Sequence, residues 1–185
     1  MHVARITGQE ADDAYAAWGC NYCGPCAIAA IMGMSLTAVR PYMGDFESKH
    51  YTNPTLMWET LDRIGRPWRK VGKSWPRFGL ARIQWEGPWT EPGVPMKARY
   101  RQTHWVASWI TTERGHGVFD VNATGNGSGH GVFDVNATGN GTGWCSFEHW
   151  RDVLVPHIIT HVPRANGKWH VTHGVEVEPL AMRRI

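Results

Sequence analysis

Hydrophobic spacing along the chain falls into two regimes. In the first third, apolar residues recur at helical spacing or in short continuous runs. Cys23-Gly-Pro-Cys-Ala-Ile-Ala-Ala-Ile-Met32 is nearly all apolar and reads as a short helix, with Pro25 suited to its first turn. Ser35 is an N-cap for a second short helix reaching Met43. Asn53 caps a third, Pro54 takes its first position, and Gly65 stops it. Leu56, Met57, Leu61 and Ile64 share one face of that helix. From Thr103 the period becomes two. His104, Val106, Ser108 and Ile110 point one way, and Trp105, Ala107 and Trp109 the other. Gly117 to Asn122 predicts the partner strand, folded back around a turn near Glu113 to Gly115. Ser146 to Leu154 predicts a capped amphipathic helix. His157 to Val162 and Lys168 to Val177 predict closing strands, with Trp169, Val171, His173, Val175 and Val177 alternating along the last. Helices followed by strands predict an α+β fold. The expected layout is one domain over 1–185: a helical part to about 65, a basic, loop-like connector over about 66–100, and a sheet part over about 101–185.

Composition narrows the classes without choosing among them. At 185 residues the chain suits one domain with a proper core, and 42% hydrophobic against 19% charged is an ordinary globular balance. A net charge of +3 is too small to argue for nucleic acid. Arg63 to Arg82 is rich in Arg and Lys, with Trp68 and Trp75 interleaved. Stacking on a nucleic-acid strand is one reading; a solvated basic face with its tryptophans in the core is preferred. No apolar run reaches the roughly 18 residues of a membrane span, and Met1 to Arg5 has no signal-peptide core. The expectation is a cytoplasmic protein with reduced thiols. Eleven tryptophans are many, and they are expected to fill the core or line a cleft. Residues 116–129 recur as 130–143 with only Ser128 changed to Thr142, which reads as a local duplication lengthening a loop or hairpin.

The chemistry centres on Cys23. A thiol at a helix N-terminus meets unpaired N–H groups and the positive end of the dipole, which favour the thiolate. Gly24 beside it permits close backbone approach. Two readings fit these letters: Cys23 as a nucleophile, or Cys23 and Cys26 as a redox pair. The redox motif normally follows a buried strand inside a βαβ unit, and Ala11 to Trp18 is a poor strand. Zinc held by Cys20, Cys23 and Cys26 with Cys145 or a histidine is a third reading. Zinc sites usually draw ligand pairs from separated hairpins, so no metal or other cofactor is expected. A thiol hydrolase needs an imidazole to share the thiol proton and a polar group to orient it. His104 opens an apolar strand, and Asp120 lies 16 residues on, where antiparallel pairing brings the two together. Asn122 and Asp134 are alternative orienting groups.

Cys23-Gly-Pro opening a helix, a distant His104-Trp-Val strand and then Phe119-Asp-Val-Asn122 together resemble the papain-like cysteine peptidase superfamily. The likeness extends from about Trp18 to Asn122 and is similar in feel to bacteriocin-processing peptidases and small bacterial and phage members. The resemblance implies a helical lobe carrying Cys23, a sheet lobe carrying His104 and Asp120, and a cleft between. It implies a cysteine peptidase acting on a peptide or protein substrate through that triad, without a cofactor. Members usually place a glutamine oxyanion donor several residues before the cysteine. That spacing falls on Ala17, so Gln9 and Asn21 are the candidate donors. The non-enzymatic rival is an inactive peptidase-like binding protein.

Overall fold

A computed structural model describes residues 6, 8–112, 115–121 and 143–179. Helix α1 spans Gly8–Trp18, and a 3-10 turn, Gly19–Tyr22, leads straight into α2, Cys23–Met32. Every residue of α2 is buried, and Gly33 ends it at φ 65°, a left-handed conformation that glycine adopts without a side-chain clash. Ser35 caps α3, Leu36–Val39, accepting from the Ala38 N–H at 3.2 Å. Helix α4 covers Phe46–Lys49. Asn53 Oδ1 accepts from the Leu56 N–H at 2.8 Å to start α5, Pro54–Ile64, and Gly65 at φ 75° closes it. Leu56, Met57 and Leu61 are buried on the face read from their spacing.

Six strands follow: β1 Trp68–Gly72, β2 Phe78–Trp85, then past helix α6, Met96–Arg99, β3 Thr103–Thr111, β4 Gly115–Phe119, β5 Trp144–Ser146 and β6 Trp169–Val177. They form one antiparallel sheet in the order β1-β6-β2-β3-β4-β5. The fold is therefore α+β, with helices packed against the sheet. Leu80, Trp105, Ala107, Phe119, Val175 and Val177 join the cluster that includes α2. Ala81, Ile83, Val106, Val118 and Val171 join a second cluster with Trp150 and Leu154. The alternation read along residues 103–110 thus sorts side chains between two cores.

Three expectations change. The connector over about 66–100 contains β1 and β2, and β2 is a central strand with every residue buried. Arg82 and Gln84 interrupt its apolar alternation, which hides it from a reading by period. Second, His157 to Val162 is not a strand. Helix α7, Phe147–His149, runs through a π-helical turn, Trp150–Leu154, into α8, Val155–Thr160. Pro156 cannot supply the N–H that an α-helix would bond to Asp152, and the wider turn ahead of it accommodates the ring. Ile158, Ile159 and Val162 are β-branched for packing against the second core, not for pairing. Third, β6 does not keep one face. Arg82 pairs with His173 but Ile83 with Val171, so Thr172 is an extra residue. That bulge sends Trp169 and Val171 to one core and His173, Val175 and Val177 to the other face.

No single helix among the described residues is long and apolar enough to cross a membrane. Asn122, Asp134 and the second copy of the repeat up to residue 142 lie outside the described residues.

Candidate active site

Cys23 is the first residue of α2, and α2 packs against β3 at the end where His104 stands. A Cβ on Gly24 would come within 2.6 Å of the Thr52 side chain, so the glycine is what lets that segment close over the helix start. The Thr52 carbonyl in turn accepts from Trp105 Nε1 at 3.2 Å, tying the helical side to β3.

Cys23 and His104 share a hydrogen bond, and the backbone N–H of Trp105 points at the same sulfur. His104 Nε2 donates to Asp120 Oδ1 at 3.0 Å, which leaves Nδ1 for the sulfur. The other carboxylate oxygen, Oδ2, accepts from Trp150 Nε1 at 2.9 Å. The Asp120 N–H is bonded to the Gly143 carbonyl at 2.9 Å, just past the end of β4. Trp85 stacks on the imidazole, with centroids 6.0 Å apart and planes 24° from parallel. The result is a continuous chain from sulfur through imidazole and carboxylate to indole.

Burial and charge act in opposite directions here. Burial pushes the Cys23 thiol up, but the hydrogen bond and charge of His104, with the Trp105 N–H, bring it below its ordinary value. Burial disfavours the imidazolium of His104, yet Asp120 and then Cys23 hold it well above the ordinary imidazole value. Both shifts favour one state, a thiolate beside an imidazolium. Cys23 is buried, with 7% of the residue's surface exposed, and Asp120 keeps none.

Cys26, one turn further along α2, has no exposed surface and carries a free thiol. Burial raises it well above an ordinary thiol, and the nearby charges of Cys23, Glu10 and Asp120 add to this. Cys145 is also free and is pushed up to about 12, by burial first and the Asp120 charge second. No group of three or more His, Cys, Asp or Glu side chains placed to hold a metal ion occurs among the described residues.

Gln9 and Asn21 are exposed. Gln9 donates to Asp13 Oδ1 at 2.8 Å, and Asn21 donates to the Trp18 carbonyl at 3.4 Å, so neither joins the chain of hydrogen bonds around Cys23. Trp85 and Trp150 join it although sequence reasoning did not single them out. The high tryptophan count was their only signal, and it does not say which of eleven faces the site.

Fold and site define an α+β protein in which a helix-borne cysteine meets a strand-borne histidine backed by a buried aspartate. No family model, curated protein or solved structure matches the chain.

Proposed function

We propose that this protein is a papain-like thiol hydrolase that cleaves a peptide or related amide bond. The observation that carries the reading is the Cys23–His104–Asp120 chain with the sulfur biased toward thiolate. Cys23 attacks the carbonyl carbon, and the oxyanion forms beside the backbone N–H of Cys23, which has no partner within its own helix. The His104 imidazolium gives its proton to the leaving amine as the C–N bond breaks. Water then attacks the thioester, passing one proton to His104, and the acid leaves as the thiolate returns. Asp120 holds the imidazole tautomer and balances its charge. The substrate is a peptide or protein, the chemistry needs no cofactor, and a compartment with reduced thiols, such as the cytoplasm, suits it.

The buried, protonated Cys26 weighs against a dithiol oxidoreductase, because a resolving thiol must reach a mixed disulfide. Iodoacetamide labelling across about pH 5 to 9 tests both readings. At about pH 6 an ordinary thiol is almost wholly protonated, yet Cys23 is expected to label readily because its thiolate persists there. The His104→Ala variant should lose on the order of 100-fold of that rate at pH 6, and Cys26→Ala should change it little. An ordinary thiol profile for Cys23 would overturn the hydrolase, and insulin reduction by the parent that is lost in Cys26→Ala would restore the dithiol.

A further inference from the structure

We propose that the buried guanidinium of Arg82 forms a carboxylate-binding subsite beside Cys23, so that the amide bond cleaved adjoins a carboxylate of the substrate. The proposal rests on the hydrolase reading above and adds the substrate class to it.

Arg82 lies on β2 directly across from Trp105, the residue whose backbone N–H points at the Cys23 sulfur. On its other side it faces His173 of β6, turned to this face by the bulge at Thr172. Only 7% of Arg82 is exposed. Its Nη2 donates to Thr103 Oγ1 at 3.2 Å, and the guanidinium carbon lies 5.3 Å from the centre of the Tyr100 ring. Nε is buried with no hydrogen-bond partner. Among the described residues no carboxylate forms an ion pair with it.

Its surroundings are short of acceptors too. Trp58 Nε1 is likewise buried without a partner, and its ring lies 6.2 Å from the His173 ring. The Lys70 ammonium sits 3.8 Å from the centre of that indole. Burial, with the charges of Arg82 and Lys70, keeps His173 below its ordinary value, so the ring is the neutral member of a cationic row. Burial also draws Arg82 down, opposed by Tyr100 and by Cys23, whose charge it feels. A buried cation without a counter-ion is costly, and an incoming anion removes that cost. The planar guanidinium fork matches a carboxylate, and a free Nε–H beside an Nη gives the paired donors such a group needs.

The test compares alkylation of Cys23 by iodoacetate and by iodoacetamide, which differ in carrying a carboxylate or a neutral amide. His104 attracts the anion equally in every variant, so variants isolate Arg82. The rate ratio of iodoacetate to iodoacetamide should fall about tenfold or more in Arg82→Met, the worth of one charge-assisted hydrogen bond. Arg82→Lys should restore part of it. The melting temperature of Arg82→Met should stay level or rise, because the variant removes an unpaired charge. An unchanged ratio in both variants, with Cys23 still labelled, overturns the subsite alone. Failure of both reagents to label Cys23 at about pH 6 overturns the hydrolase and the subsite with it. Peptides with free or amidated C-termini, with and without Asp or Glu, then identify the source. Dependence on the free terminus assigns the terminal carboxylate, dependence on Asp or Glu assigns a side chain, and cleavage indifferent to both overturns the proposal.

Discussion

Asp120 divides its carboxylate between an imidazole and an indole, and that division sets what each neighbour is worth. Replacing Trp150 by Phe removes the donor to Oδ2 between two residues, Trp150 and Asp120, that have no exposed surface. The expected loss is about 1–3 kcal/mol by chemical denaturation, together with slower labelling of Cys23. Asp120→Asn removes the charge that holds His104 up, so the ring should titrate lower, as read from its NMR shifts. The sign for stability follows. A raised imidazole value contributes stability fully below the unfolded value of about 6.5 and loses it as pH rises through the folded value. The penalty of Asp120→Asn should therefore be larger at about pH 6 than at alkaline pH, compared by thermal melts of both proteins. Cys23, His104 and Asp120 were readable because each sits in a distinctive local text. Arg82, Trp85 and Trp150 were not, because their roles depend on what faces them across a sheet or from a helix.

Among the elements, capped helices were the most legible. Ser35, Asn53 and Gly65 each mark a boundary by a local bond or a left-handed φ that needs no distant partner. The strands around β3 and β4 followed from period two. β2 escaped because Arg82 and Gln84 occupy positions where an apolar residue would have completed the pattern. Bulges escaped as well, since an extra residue changes register without changing composition. Gly79 shows how closely β2 and β6 are fitted. It adopts φ 156°, and a Cβ there would come within 1.9 Å of the Val175 carbonyl oxygen. Gly79→Ala should destabilise the protein by more than about 1–3 kcal/mol, the usual cost of backbone strain alone, and circular-dichroism melts would register it. A melt unchanged from the parent would mean that the two strands have slack.

For the whole molecule, the duplication is the feature with the clearest energetic consequence. The described chain stops at Val121, two residues past the end of β4, and resumes at Gly143, just before β5, and the Asp120 N–H to Gly143 carbonyl bond fixes both ends at one place. Deleting residues 130–143 leaves Gly129 before Trp144, where Gly143 now stands, and shortens the connection from 21 residues to seven. Loop-closure entropy alone then favours the shorter chain by about 1 kcal/mol. The deletion variant should fold, melt slightly higher and keep Cys23 reactive, as labelling and calorimetry would establish. Loss of the fold would show that the second copy is built into the core. Survival of the fold in that variant would show that a copying slip between the two pinned ends carries small thermodynamic consequence. The same seam is a splice point for a foreign reporter domain, whose movements would be felt one peptide unit from the acid that steers the reactive ring.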